Sequence, residues 1–278
     1  MKKIILISFT IIILAAIYLF WSNNSLTASK YTVSPQNLPQ SFDGYRIVQV
    51  SDLHNKDFHG RLIKKIRGYS PDIVVITGDI IDSYQTKPEI ALDFAKKALE
   101  IAPVYYVAGN HESRIETYPE FRKSLENIGV TVLDCKGVTL EKEGGEIFLA
   151  GMDDLMFFGS SVINEKTVGF TEKLNALTAE KGERTGILLS HRPEIFDVYV
   201  QSGFDIVFTG HAHGGQIRLP FVGGILTPNQ GFFPEYDAGI FRKGNTSMII
   251  SRGLGNSIFP FRIGNRPEII VCDLAKEK

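Results

Sequence analysis

The chain has 278 residues, 44% hydrophobic and 22% charged, which suits one well-filled globular domain and excludes a disordered or fibrous chain. Thirty basic against thirty-one acidic side chains give a formal net charge of −1, so no global field holds the protein on a nucleic-acid backbone and a nuclease starts at a disadvantage. Two cysteines, Cys135 and Cys272, stand far apart and in no Cys-x-x-Cys pair, which argues against a disulfide framework or a thiolate zinc site. Two small apolar residues in or near strands is favoured over a single bridge.

Lys2 and Lys3 precede an uncharged run from Ile4 to Trp21, broken only by Ser8 and Thr10 and long enough to cross a bilayer. A cleaved signal peptide would have a shorter apolar core and a small-x-small cleavage site, whereas Leu26-Thr27-Ala28 puts Leu where a small residue is wanted. Residues 1–22 are therefore expected to be an uncleaved transmembrane anchor. Positive charge on the N-terminal flank and none beyond the run until Lys30 predicts a single-pass protein of the cell membrane, N-terminus inside and the domain extracytoplasmic. Ser, Asn and Thr between Ser22 and Thr32, followed by Pro35 and Pro39, make 23–42 a linker that lets the domain, 43–278, stand off the membrane.

From Arg46 onward short apolar runs alternate with amphipathic stretches. Arg46–Val50, Ile73–Ile76, Val104–Val107, Ile187–Leu189 and Ile206–Phe208 are predicted core strands. Leu62, Ile63 and Ile66 recur at helical spacing, as do Ile90, Phe94, Ala98 and Ile101, then Phe121, Leu125 and Ile128 before a capping Gly129. Beyond Gly210 the pattern turns to strands at 217–219, 248–250 and 269–271, separated by Gly, Pro and Asn, so a second sheet is expected in this half. The predicted class is α/β, with two packed mixed sheets flanked by helices and an N-terminal transmembrane helix.

Five of the six histidines follow closely on a strand pattern, where loops from a rigid sheet present functional groups. Asp52 and His54 project to one side of an extended segment, as do His211 and His213. Gly78-Asp79, Gly109-Asn110-His111-Glu112 and Ser190-His191 follow other strands. A single Gly-Asp is usually a turn and a single His usually packs, but five such elements collect carboxylate, imidazole and amide groups that an apolar core would not want together. Gly78, Gly109 and Gly210 precede these residues and permit tight turns and close backbone approach. His59 falls outside the set and is expected on a surface loop.

These five blocks resemble the signature of calcineurin-like metallophosphoesterases, over Arg46 to about Gln216. The ending Gly-His-Ala-His-Gly-Gly-Gln with Ile217 and Pro220, the segment Ser251-Arg252-Gly253-Leu254-Gly255, and Arg266-Pro267-Glu268-Ile269 resemble a membrane-associated bacterial branch. In or near that branch some relatives act on UDP-2,3-diacylglucosamine. The resemblance implies a four-layer α/β/β/α sandwich and two divalent transition-metal ions, Mn, Fe or Zn. By it, Asp52, His54, Asp79 and His213 hold one ion and Asp79, Asn110, His191 and His211 the other, with Asp79 bridging. Glu112 stands where the family pattern has Asp. His111 would protonate the leaving oxygen, and Asp82 would orient His111, although a turn role for Asp82 is equally favoured.

Such a site would hydrolyse phosphoester or pyrophosphate bonds, a hydroxide held between the ions being the expected nucleophile. Arg114, Arg192, Arg252 and Arg262 could bind phosphate, though structural ion pairs are favoured for each. Phe157-Phe158, Phe232-Phe233-Pro234 and Phe259-Pro260-Phe261 fall in loop-like stretches and are expected to pack or to meet an acyl chain or bilayer. The expected substrate is a phosphorylated small molecule or lipid of the envelope. Rival readings are a phosphodiesterase or nuclease on soluble nucleotides, a metal-bound scaffold without turnover, and a hydrolase built on Ser190-His191. The last fails because adjacent residues do not face one another as nucleophile and base.

Overall fold

The computed structural model describes residues 2–159, 163–256 and 259–277. Helix α1 (Lys2–Asn24) carries the apolar run, is long and apolar enough to cross a membrane, and ends with Ser22 and Asn23 buried against the domain. Strands β1 (Thr27–Val33), β2 (Arg46–Val50), β3 (Ile73–Thr77), β4 (Val104–Val107) and β5 (Thr131–Val132) follow, with helices α2 (Arg61–Arg67), α3 (Pro88–Leu99) and α4 (Tyr118–Asn127) between them. Next come β6 (Lys136–Lys142), β7 (Gly145–Gly151), α5 (Ile163–Lys181), β8 (Thr185–Leu189), α6 (Phe196–Ser202) and β9 (Ile206–Thr209). Two small hairpins, β10 (Arg218–Leu219) with β11 (Gly223–Gly224) and β12 (Leu226–Thr227) with β13 (Gly231–Phe232), precede β14 (Gly239–Lys243), β15 (Thr246–Ile250) and β16 (Glu268–Leu274).

Six strands form one sheet in the order β1-β16-β2-β3-β4-β5, and six form the other in the order β14-β15-β9-β8-β7-β6. Both sheets mix parallel and antiparallel pairs. Side chains alternate along each strand, and because both faces are covered both sets are apolar. Ile47, Val75, Val107 and Ile270 meet Leu149, Ile187, Leu189 and Phe208 between the sheets. Val48, Val74 and Ile76 pack outward under Leu62, Ile66, Phe94 and Leu125, while Leu188, Val207 and Met248 pack under Phe170, Leu174 and Tyr199. This is the expected four-layer α/β/β/α sandwich.

Two expectations are corrected. Residues 27–33 do not belong to a loose linker: β1 pairs in parallel with all seven residues of β16, and its polar composition is that of a half-exposed edge strand. The second sheet does not belong to the C-terminal part, since its middle strands are β7, β8 and β9 and the last strand, β16, returns to the first sheet. The cysteines follow the favoured reading: Cys135 and Cys272 are both free, Cys272 buried between the sheets and Cys135 packed at the outer apolar layer.

Strand direction decides where the anchor meets the domain. Strands β2, β3 and β4 run parallel, whereas β16 runs antiparallel to β2, and β1 follows β16. The end of α1 therefore enters the domain at the edge from which the loops after β2, β3 and β4 emerge.

Candidate metal centre

The predicted residues meet at that edge. Asp52 and His54 follow β2, Asp79 follows β3, Asn110 and His111 follow β4, His191 follows β8, and His211 and His213 follow β9; all are buried. Asp52, His54, Asp79, His211 and His213 have φ between 46° and 63°, in the left-handed region where Asp and His are the better-tolerated non-glycine residues. Backbone hydrogen bonds hold them there: Asp52 N–H donates to Gly78 O and His54 N–H to Asp79 O, both at 3.0 Å. A Cβ on Gly109 would lie 2.3 Å from Asp79 Oδ1, and one on Gly210 would lie 2.3 Å from Asp52 Oδ2, so only glycine lets these loops close on the carboxylates.

Lone-pair atoms converge in two groups. His213 Nε2 lies 3.1 Å from His54 Nε2 and 3.3 Å from Asp52 Oδ1. His191 Nε2 lies 3.2 Å from each of Asn110 Oδ1, His211 Nδ1 and Asp79 Oδ2. The same Asp79 Oδ2 is 3.7 Å from His54 Nε2, so this carboxylate stands between the groups. Ligand atoms held about 2.1 Å from one ion at tetrahedral or octahedral angles are separated by about 3.0–3.4 Å. The donor set therefore fits two divalent cations. The tautomers fit as well: His191 Nδ1–H donates to Thr77 O at 2.7 Å, and Asp82 Oδ2 faces His54 Nδ1 at 3.4 Å, leaving both Nε2 lone pairs turned inward.

The electrostatics are those of a site prepared for positive charge. Burial works against ionisation of Asp79, yet the charge of His191, its hydrogen bond to the carboxylate and the charge of His54 hold the carboxyl well below the usual range. Burial likewise opposes a charged His191, but Asp79 and Asp52 push it up to about 10. His211 and His213 are held well below the ordinary histidine value by burial, reinforced by Arg192 and by His54 with Arg262 respectively, so their lone pairs stay open.

Of the two readings open for Asp82, the geometry favours the turn, and His111 is oriented from the next residue. The Nδ1 of His111 accepts from the backbone N–H of Ser83 at 3.0 Å, with Ser83 Oγ at 3.1 Å, while Asp82 Oδ2 is 3.9 Å away. Ser83 therefore orients His111, and Asp82 serves the turn, accepting from Tyr84 N–H and Gln85 N–H, and faces His54. Burial lowers His111 to about 4. Its ring is neutral at physiological pH with the proton on Nε2, the nitrogen left free. Glu112 was legible only as a variant; its buried carboxylate accepts N–H groups from Asp79, Ile80, Ile81 and Gly109.

The site opens to a cleft of about 470 Å³ walled by Leu155, Met156, Ile195 and Pro228, with Arg114 and Asn229 at its polar side. Arg192 pairs with Asp154 at 2.6 and 3.0 Å and Arg252 with Glu268 at 2.8 and 3.0 Å, as structural ion pairs. Arg262 is buried among backbone carbonyls; Arg114 is exposed, with no ion pair among the described residues. Ser190 donates to or accepts from Tyr199 and meets no base among the described residues; His59 sits on the surface against Asp57. Phe157 packs on Tyr118 and Phe158 on Phe170, whereas Phe232, Phe233, Phe259 and Phe261 are exposed.

The model of the calcineurin-like phosphoesterase family matches residues 45–215. YkuE, a metallophosphoesterase of Bacillus subtilis, is 30% identical over 257 residues, covering 90% of this chain and 85% of that one. A zebrafish (Danio rerio) transmembrane protein with a metallophosphoesterase domain is 29% identical over 251 residues, covering 84% of this chain and 54% of that one. Among solved structures, TT1561 of Thermus thermophilus aligns with a TM-score of 0.53 at 14% identity, over 76% of this chain and 90% of that one, a likeness of fold.

Proposed function

The chain belongs to the calcineurin-like phosphoesterase family and is a phosphoester hydrolase, and from that premise we propose that it cleaves a phosphoester or pyrophosphate bond on a lipid-linked phosphate at the outer face of a cell membrane. The observation that carries the proposal is Asp79 Oδ2, which stands 3.7 Å from His54 Nε2 and 3.2 Å from His191 Nε2 and so serves both groups. In it, Asp52, His54, Asp79 and His213 hold one divalent cation, and Asp79, Asn110, His191 and His211 hold the other. Such a pair would lower the pKa of a shared water and offset charge on the phosphoryl oxygens.

The chain's own residues supply the rest. Arg114 at the cleft mouth offers a guanidinium to the free phosphoryl oxygens, beside the cations that Asn110 and the histidines would hold. His111, anchored through Nδ1, directs Nε2–H toward the leaving oxygen as it gains charge. Leu155, Met156, Ile195 and Pro228 give the cleft an apolar wall that suits an acyl-bearing substrate better than a free nucleotide, and α1 enters at the same edge.

The test is elemental analysis of the purified full chain beside turnover on lipid-embedded and soluble phosphomonoesters, phosphodiesters and pyrophosphates. Two metal equivalents and preference for the lipid-embedded ester are expected. A strong preference for soluble nucleotides would overturn the substrate proposal, and full metal content without turnover would favour a scaffold.

A further inference from the structure

The edge that carries the metal centre also carries exposed apolar side chains on segments that touch α1. Tyr18, six residues and therefore about 9 Å before the end of the helix, accepts a hydrogen bond from Gly264 N–H at 3.0 Å. A ladder runs outward from that contact. Arg218 N–H donates to Ile263 O at 2.9 Å, Ile225 N–H to Ile217 O at 2.9 Å, and Phe233 N–H to Ile225 O at 2.8 Å. The ladder joins the anchor to both small hairpins, whose tips and flanks expose Phe221 (110%), Val222 (55%), Phe232 (71%) and Phe233 (68%). Phe259 and Phe261, on the segment beside Gly264, are 40% and 45% exposed. Loop aromatics this open, held by backbone pairing to a helix long and apolar enough to cross a membrane, are left uncovered by the described residues.

A second feature lies at the same level. Lys56 Nζ and Arg61 Nη1 donate to the terminal carbonyls of α1 at Asn23 and Asn24, and Arg61, Lys64 and Lys65 line a groove beside Ser25 and Leu26. Arg266 lies over the Trp21 ring at 4.7 Å. Aromatic residues at a helix end beside clustered cations match the headgroup region of a bilayer.

We propose that the β10–β11 and β12–β13 hairpins and the 259–261 segment insert into the bilayer surface around α1, making this edge a membrane-contacting platform. The loop between β12 and β13 also carries Asn229, whose amide lies 2.8 Å from His211 Nε2, so the platform lies directly beside the metal site. The platform does not depend on the identity of the substrate, although it gives a lipid-linked phosphate a route in from the membrane plane.

The test uses the full chain in nanodiscs of phosphatidylcholine and phosphatidylglycerol. In a Trp21→Phe background a single tryptophan is placed by Phe221→Trp, Phe232→Trp or Phe259→Trp, with Glu277→Trp as a control at the opposite end of the sheets. Acyl-brominated lipid is expected to quench the first three by more than half and leave the control unchanged. Emission that stays open to aqueous iodide and blind to brominated lipid would overturn the proposal. So would protection that grows with the number of chains per disc, which marks contact between copies. A Phe221→Ser/Phe232→Ser double variant is expected to lose about ten-fold in turnover of a vesicle-embedded phosphoester while keeping turnover of soluble bis(p-nitrophenyl) phosphate. If the unaltered chain hydrolyses neither ester, the catalytic reading fails while the quenching result still decides the platform.

Discussion

Glu112 holds Asp79 by its backbone: the glutamate Oε2 accepts the Asp79 N–H at 2.8 Å and the Gly109 N–H at 2.8 Å, while Oε1 takes Ile80 and Ile81 at 2.8 and 3.1 Å. One side chain thus ties the loop after β3 to the loop after β4. Burial and the Asp79 charge push the Glu112 carboxyl up to about 7, and the N–H donors work in the other direction. Glu112→Ala would leave these buried donors without an acceptor, at a cost of about 1–3 kcal/mol for each that finds no water. Destabilisation of about 3 kcal/mol or more is expected in the urea midpoint, with loss of bound metal, and Glu112→Gln should fall between. A midpoint equal to the parent chain's would remove Glu112 from this role.

Asp79 and His111 should separate binding from chemistry. Asp79→Asn removes the charge shared by both groups and is expected to empty at least one metal position, with turnover lost in proportion. His111→Ala leaves every lone pair of the two groups in place; metal content should be unchanged and kcat should fall about 10²–10⁴-fold, most for poor leaving groups. Chelation of the full chain should abolish turnover and lower the unfolding temperature, with both restored by Mn²⁺ or Zn²⁺. Equal metal loss in the two variants would contradict the division of labour.

What the sequence disclosed and what it hid divide along range. The five blocks were legible because each polar residue directly follows an apolar β-branched run, a local pattern. The grip of Glu112 depends on β3 lying beside β4, with Val74 opposite Val104, which no local pattern encodes. Ser83 and Asp82 are adjacent in sequence, and only the turn geometry assigns His111 to the former. Strand β1 hid because a half-exposed edge strand and a tether share a composition rich in Ser, Thr and Lys. The contact between Asn23 and Arg262 spans 239 positions and became visible only once β1 and β16 were paired.

Asp153 gives the fold a pH dependence away from the metal groups. Burial, then its hydrogen bond and charge repulsion with Asp134, pushes its carboxyl up to about 9. The folded chain therefore binds a proton here that the unfolded chain has released above about pH 4. The stabilising contribution is complete below that pH and is lost as pH rises toward 9, with a slope of at most about 1.4 kcal/mol per pH unit. Asp153→Asn keeps the shape without the acid, so its urea midpoint should gain on the parent chain's steadily from pH 5 to pH 8. Parallel curves would mean that Asp153 is ionised in the folded chain.

Ser190→Ala separates a phosphoesterase from a serine hydrolase. Ser190 Oγ is 2.8 Å from Tyr199 Oη, a buried hydrogen bond whose loss should cost about 1 kcal/mol of stability. Turnover of phosphoesters at saturating metal should stay within about two-fold of the parent chain, since the hydroxyl meets no base. A collapse of kcat with the midpoint preserved would revive the rejected alternative.

The anchor should be mechanically part of the site. Asn23 Oδ1 accepts from Arg262 N–H and from Asn256 Nδ2, both at 3.0 Å, at the end of α1. The Arg262 guanidinium is buried, donates to Gly255 O and Arg252 O, and lies 3.4 Å from His213 Nδ1. Burial lowers Arg262 to about 10, which still leaves it charged at neutral pH, and that charge helps keep His213 unprotonated. Asn23→Ala would strip the acceptor from the buried Arg262 N–H and the half-buried Asn256 amide, costing about 1–3 kcal/mol and loosening the segment that backs His213. In nanodiscs this variant should be cut by protease beyond Asn24 sooner than the parent chain and should bind Mn²⁺ more weakly, while Asn23→Asp, which retains the acceptor oxygen, should restore both. If Asn23→Ala matches the parent chain in cleavage and in Mn²⁺ affinity, the link from α1 through Asn23 and Arg262 to His213 gives the metal site no support.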